Sequence, residues 1–257
     1  MPHDTPAISL VIPAYNEAAR IATTVLEAVE YFRDRQLSHE IIVSADGTDG
    51  TREAAQQLTA AHPNIRVIGS PQRRGKGNGI RQAVRIATGD LIGFSDADNK
   101  TPITEFDKIE PLLRQGTEVV IGSRGLRESR IERAQPLYRR VGSRGFALVM
   151  HTVVGLPGIA DTQCGFKFFQ GRVAHDLFRR QQIDGYMFDV EILFIARQRG
   201  YRIEEVPVRW RDDGDSRLNL VMGNLRNMRD VLSIRWRHRQ LGHDSDLVSE
   251  PVSRSDS

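Results

Sequence analysis

At 257 residues, with 36 Lys+Arg against 33 Asp+Glu and a formal net charge of +3, the chain has ample length for one large domain or two small ones. A single cysteine, Cys164, excludes an internal disulfide and any cysteine-based zinc cluster. No secretory signal and no apolar run near 18 residues appears, so a cytoplasmic chain that does not itself span a membrane is expected.

Ile8 to Ile12 is a continuous apolar run ended by Pro13, the pattern of a strand buried on both faces. After Pro13-Ala14-Tyr15-Asn16-Glu17, a helix is predicted over roughly Ala18 to Arg35, with Ile21, Val25, Ala28, Val29 and Phe32 on one stripe. A second strand, Glu40 to Ser44, leads into Ala45-Asp46-Gly47-Thr48-Asp49-Gly50-Thr51 and a helix from Thr51 to Ala61. A third strand, Ile65 to Ile68, precedes the basic, glycine-rich Arg73-Arg74-Gly75-Lys76-Gly77, which opens a helix at about Asn78 to Ala87. The fourth strand, Asp90 to Phe94, ends in Ser95-Asp96-Ala97-Asp98-Asn99-Lys100, and Glu118 to Gly122 makes a fifth. Strands alternating with helices imply an α/β fold, a mainly parallel Rossmann-like sheet with right-handed crossovers.

Ligands of such sheets bind outside the carboxyl ends of the strands. Four polar clusters fall at such ends: Pro13 to Glu17, Ala45 to Asp49, Asp96 to Asp98, and Gly122 to Arg124. Two carboxylates at i and i+2 where a strand runs out can face one bound ion, and hard oxygen donors suit Mg²⁺ or Mn²⁺. An isolated Asp-x-Asp is more often a turn or helix cap; convergence with the other three clusters argues for a nucleotide-diphosphate site. The loop around Lys76 adds cations and a helix N-terminus suited to a pyrophosphate. Neither a G-x-G-x-x-G fingerprint nor a Walker A motif occurs, which disfavours a dinucleotide oxidoreductase.

In order, VIPAYNE, EIIVSADGTDGT, RRGKGNG, FSDADNK and IGSR resemble the inverting family-2 glycosyltransferases of the GT-A fold. In the second half, ADTQCGFKFF, GYMFDVEILFIA and EVPVRW are similar to the dolichyl-phosphate β-glucosyltransferases and related polyprenyl-phosphate glycosyltransferases. The resemblance covers about Ile8 to Arg239. It implies that Pro13, Tyr15 and Glu17 line the nucleoside pocket, with Asp46 reading the base. Lys76 would approach the pyrophosphate, Asp96 the ribose and metal side, and Asp98 would ligate the metal. Asp161, Gln163 and Lys167 would shape the sugar and acceptor end. The family's usual Asp-Asp-Gly-Ser after the second strand is here Ala45-Asp46-Gly47-Thr48, one residue shorter in its segment.

Arginine far outnumbers lysine and clusters after residue 124. That bias favours phosphate or anionic membrane surfaces over nucleic acid. Arg124, Arg139 and Arg140 are candidates to hold an acceptor phosphate, although a salt-bridged helix face with Glu128 and Glu132 is an ordinary alternative for most of this cluster. Asp189 is expected near the active site; Glu191 either joins it or pairs locally. From Leu218 to Arg239, apolar residues at helical spacing are flanked by arginines, the pattern of an interfacial helix or of one packed on the catalytic domain. The tail 241–257 lacks a core pattern and is expected to be disordered. The organisation expected is a catalytic domain over 1–217, an amphipathic segment over 218–240, and the tail.

The reaction expected is a single inverting displacement that moves glucose from UDP-glucose to a polyprenyl or dolichyl phosphate, by a protein peripheral on the inner face of a membrane. Asp96, Asp98, Asp161, Gln163 and Asp189 form the catalytic group. A phosphate acceptor is already anionic and needs positioning more than deprotonation; for a hydroxyl acceptor, Asp161 or Asp189 would serve as base. GDP-mannose as donor and a non-catalytic nucleotide-sugar-binding module remain the alternatives.

Overall fold

The computed structural model describes residues 5–131, 154–211 and 222–239, with side chains from residue 227 in the last stretch. Arg139, Arg140, the start of the amphipathic segment and the tail 241–257 lie outside the described residues.

Among the described residues, seven strands form one sheet in the order β3-β2-β1-β4-β7-β5-β8. They are β1 (Ile8–Tyr15), β2 (His39–Asp46), β3 (Ile65–Ile68), β4 (Leu91–Ser95), β5 (Val119–Ser123), β7 (Phe166–Gln170) and β8 (Ile203–Pro207). All neighbouring pairs are parallel except those of β7, which runs antiparallel between β4 and β5. A two-residue strand β6 (Arg130–Ile131) pairs with β9 (Arg209–Trp210) beside the main sheet.

Helices cover both faces, because the buried strands are apolar in both directions. One core cluster joins Val11, Ile92, Phe94, Ile121 and Phe169 to α3 (Lys76–Ile86), α5 (Gly171–Arg180), α6 (Phe188–Gln198) and α7 (Met222–Arg237). The other joins Ile8, Leu10, Ile12, Val120, Phe166 and Phe168 to α1 (Ile21–Asp34), α2 (Thr51–Leu58), a 3₁₀ turn (Ile103–Lys108) and α4 (Glu110–Arg114). Fully burying each phenylalanine of β7 contributes about 1.5–3 kcal/mol, so this strand alone anchors both layers.

Two boundaries differ from expectation for physical reasons. β1 runs on past Pro13, which pairs in register with Ser44, as far as Tyr15 beside Asp46. Its pairing with β4 covers only Ile8 to Val11, so at Pro13 one side of the strand is open and the missing N–H costs nothing. β7 was legible only as a motif, since its second residue is a fully buried lysine, Lys167, in a run that otherwise reads as apolar.

Candidate active site

Parallel strands end on one edge, and an antiparallel neighbour begins there. Tyr15, Asp46, Asp96 and Arg124 therefore emerge from β1, β2, β4 and β5 alongside Gln163 to Gly165, which lead into β7.

At the β1–β2 end, the carboxylate of Asp46 accepts hydrogen bonds from the backbone N–H of Ser70 (3.1 Å) and of Arg74 (2.8 Å). It thereby folds the basic loop over the strand ends. Arg73 then lies over the Tyr15 ring, 4.4 Å from its centroid, and its guanidinium donates to the Tyr186 hydroxyl at 3.4 Å. Pro13 is half-buried, Tyr15 is exposed, and the Glu17 N–H donates to Thr51 Oγ1 at 2.9 Å. Tyr15 and Asp46, expected to hold a base, are thus direct neighbours.

At the end of β4, Asp96 and Asp98 line one small cavity of about 30 Å³ with Lys100, Thr101, Arg124, Gln163, Gly165 and Trp210. Lys76 Nζ pairs with Asp96 Oδ1 at 2.6 Å, and Lys100 Nζ with Asp98 Oδ2 at 3.2 Å. Burial opposes the charge on Lys76, but Asp96 and Asp189 outweigh it and raise its pKa above the ordinary lysine value. Two hard carboxylates, each holding one cationic head group, are a donor set that fits a divalent ion of the Mg²⁺ or Mn²⁺ kind. Among the described residues no cluster of three or more His, Cys, Asp or Glu exists that could hold a metal, so within that set the aspartate pair acts without a third side chain.

Gly165 makes room for Asp96. A Cβ there would lie 2.0 Å from Asp96 Oδ2 and 2.3 Å from its Cγ, while the Gly165 carbonyl accepts the Asp96 N–H at 3.1 Å. The CGFK run therefore places a bare backbone against the carboxylate.

On the β5 side, Arg124 grips Asp161 in a two-pronged ion pair, Nε to Oδ2 at 2.6 Å and Nη2 to Oδ1 at 3.0 Å, and also donates its backbone N–H to Oδ2. Burial works against the Asp161 charge, but Arg124 overrides it and pulls its carboxyl down to about 2. A carboxylate held so acidic is a poor proton acceptor, so this ion pair does not favour Asp161 over Asp189 as the base that a hydroxyl acceptor would require. Arg124, expected as a phosphate clamp, has its fork committed to Asp161; it also lies 5.3 Å from the Trp210 ring centroid. The Gln163 N–H donates to Asp161 Oδ1 at 3.1 Å.

Beneath this edge, Lys167 is fully buried; its ammonium donates to Asp189 Oδ1 at 2.7 Å and to the Cys164 carbonyl at 2.6 Å. Burial raises the pKa of Asp189 even though Lys167 and Lys76 favour its charge. Glu191 points elsewhere: it accepts from the backbone N–H groups of Gln182 and Ile183 and lies 2.7 Å from His238 Nε2. It ties α7 to the loop before α6. Burial pushes the Cys164 thiol up to about 11, so this cysteine is a packed neutral group.

Four residues of the Asp96–Asp98 cavity stand outside the sequence expectation: Lys100, Thr101, Gly165 and Trp210. The FSDADNK, CGFK and EVPVRW runs carry three of them, Lys100, Gly165 and Trp210. The larger cavity, about 520 Å³, lies apart along Thr104 to Lys108 and Pro207 to Arg209. Its Glu105 is already paired with both Lys108 and Arg209.

A largely parallel sheet with one antiparallel strand inserted beside the acidic strand end is the arrangement of the GT-A fold. The structure is similar to glucosyl-3-phosphoglycerate synthase from Mycobacterium tuberculosis, solved with Mn²⁺, UDP-glucose and phosphoglyceric acid, at TM-score 0.65 and 21% identity over 90% of this chain and 79% of that one. It is equally similar in fold to mannosyl-3-phosphoglycerate synthase from Rubrobacter xylanophilus, at TM-score 0.65 and 19% identity over 94% and 77%. The glycosyl transferase family 2 model matches residues 9–178, and the chain belongs to that family. Among its relatives, dolichyl-phosphate beta-glucosyltransferase ALG5C of Trichomonas vaginalis is 35% identical over 95% of this chain and 76% of its own length. The dolichyl-phosphate beta-glucosyltransferase of Homo sapiens is 31% identical over 91% and 76%. Among the described residues no helix is long and apolar enough to cross a membrane.

Proposed function

We propose that the chain transfers glucose from UDP-glucose to the phosphate of a polyprenyl, dolichyl-type lipid with inversion at the anomeric carbon. The observation that carries this reading is the breadth of the likeness to dolichyl-phosphate beta-glucosyltransferases. Relatives from protist, slime mould, fly, yeast and mammal align over 88–95% of the chain.

Tyr15 and Asp46 receive the uracil end, and Lys76 at the start of α3 turns its charge to the diphosphate. Asp96 and Asp98 would hold Mg²⁺ or Mn²⁺, which when bound neutralises charge on the leaving diphosphate. Asp161 and Gln163 shape the acceptor side, where Asp161 sets the orientation of Arg124 and leaves the rim of that guanidinium for the lipid phosphate. That phosphate arrives anionic, so no general base is needed. Asp189, buried on Lys167, helps to keep Lys76 charged.

The protein works as a peripheral enzyme at the cytoplasmic face of a membrane. On α7, Val231 and Ile234 pack into the core while Met228, Leu232 and Trp236 stand exposed at i, i+4 and i+8, with Arg229, Arg235 and Arg239 around them. Such a face suits an anionic lipid surface.

The test is transfer from UDP-glucose, UDP-galactose, GDP-mannose and GDP-glucose to a short polyprenyl phosphate with Mn²⁺. Turnover with UDP-glucose well above the rest is expected. GDP-mannose as the preferred donor would overturn the donor assignment, and no lipid-linked product from any donor would overturn the acceptor.

A further inference from the structure

The chain holds four lysines among its 36 basic residues. Three of them sit on carboxylates of this one edge: Lys76 on Asp96, Lys100 on Asp98 and Lys167 on Asp189. The fourth, Lys108, shares Glu105 with Arg209, whereas several other carboxylates, on this edge and off it, are met by arginine. Asp161 is met by Arg124, Asp176 by Arg180 and Arg199, and Glu110 by Arg35 and Arg114. The two cations are not interchangeable. A guanidinium grips a carboxylate through a planar fork, as Arg124 does, whereas an ammonium is a compact charge on a flexible stem that releases without breaking two aligned bonds. Lysine suits a carboxylate whose partner has to change.

Lys100 is the loosest of the three. Lys167 is enclosed and also bonded to the Cys164 carbonyl; Lys76 is held by Asp96 at 2.6 Å and by the field of Asp189. Lys100 meets Asp98 at 3.2 Å, the longest of these contacts. Its backbone N–H caps the other Asp98 oxygen at 3.3 Å, so its stem is rooted within the same turn. Its ammonium also lies 6.0 Å from the Trp210 ring centroid, within reach of a second favourable position on that aromatic surface.

We infer that Lys100 is the resident counter-cation of Asp98: it competes with a divalent metal for this carboxylate and retires toward Trp210 when the metal enters. The inference rests on the reading of Asp96 and Asp98 as the metal carboxylates, and adds the residue that sets how tightly the free enzyme takes metal. With Lys100 in place, Asp98 is neutralised while no donor is bound. The diphosphate, which brings its own negative charge, tips the competition, so metal and donor are taken up together.

Manganese binding to the full chain, followed by loss of the free Mn²⁺ resonance in electron paramagnetic spectra, decides it without any turnover. In the absence of nucleotide, Lys100→Met should bind Mn²⁺ roughly tenfold or more tightly than the unmodified chain, since a like charge has left the site. Lys100→Arg, which keeps the charge and adds a fork, should bind no tighter than the unmodified chain. The gain should vanish in the Lys100→Met, Asp98→Asn double variant, and UDP should narrow the gap between Lys100→Met and the parent. Lys100→Gln repeats the measurement should the methionine variant not fold. Equal or weaker Mn²⁺ binding by a folded, uncharged variant overturns the counter-cation role while the metal site stands. Failure of every protein to bind Mn²⁺, even with UDP, overturns the metal reading and this inference with it.

Discussion

Replacing Gly165 by alanine should remove activity while leaving the fold in place. The new methyl carbon would start 2.0 Å from Asp96 Oδ2, and ordinary contact begins near 3.4 Å, so the carboxylate has to move by about 1.4 Å. The backbone of Gly165 lies outside the left-handed region, so alanine adds no strain of its own. The Asp96 side chain is 40% exposed, which leaves the carboxylate water to swing into, and the exchange also lowers the freedom of the unfolded chain by ~0.4–1 kcal/mol. The two effects oppose each other, and net stability should stay within about 1 kcal/mol, or a few degrees in Tm. Catalytic geometry is less forgiving, since a misplacement of about 1 Å can cost on the order of 10²-fold in rate. The assay pairs glucosyl transfer to polyprenyl phosphate with calorimetric melting of the same preparation. Full turnover in the variant, or a fall in Tm large enough to account for the loss, would refute the argument that Gly165 acts through Asp96.

Two further outcomes follow from geometry. Asp161, whose pKa is depressed to about 2 by Arg124, contributes stability that is complete above its unfolded value near 3.9 and is lost as pH falls through about 2, a contribution of ~2 kcal/mol; Asp161→Asn should be less stable at pH 7 in urea titrations, with the difference closing toward pH 2, and a pH-independent difference would rule the ion pair out as its source. Leu232 and Trp236 are exposed on α7, so Leu232→Ser with Trp236→Ser should cut flotation with anionic liposomes by about tenfold or more at unchanged Tm, and undiminished flotation would turn attention away from this face.

The parallel half of the sheet was legible because local signals agreed with global structure. Apolar runs of four to eight residues, broken by glycine and proline, coincide with β1 to β5 to within a few residues, and the acidic pair at the end of β4 stands where a strand's carboxyl end should put it. The contacts that make the edge a site were not legible. No periodicity says that Gly165 will face Asp96 or that Trp210 will lie beside Lys100, because those pairs meet through strand pairing across many residues. Glu191 shows the same limit from the other side. In sequence it stands two positions from Asp189 and looks like its companion, but on α6 that spacing turns it away from the edge and toward His238. Asp161 and Arg124 each stand out in the sequence as polar residues of a motif, but nothing in the sequence says that they grip each other.

The place of β7 has a consequence for how this protein comes into being. Two parallel strands, β4 and β5, are made early, but the space between them is filled only by residues 166–170 arriving in the opposite sense. Until that strand has left the ribosome, the nascent sheet has a gap at its centre and two unsatisfied strand edges flanking it, a state exposed to wrong pairing. The first half of the chain carries the Asp-Ala-Asp turn and the basic loop, but its strands β4 and β5 meet only through β7. Closing the gap between β4 and β5 and bringing Gly165 against Asp96 therefore wait on the same short stretch of chain.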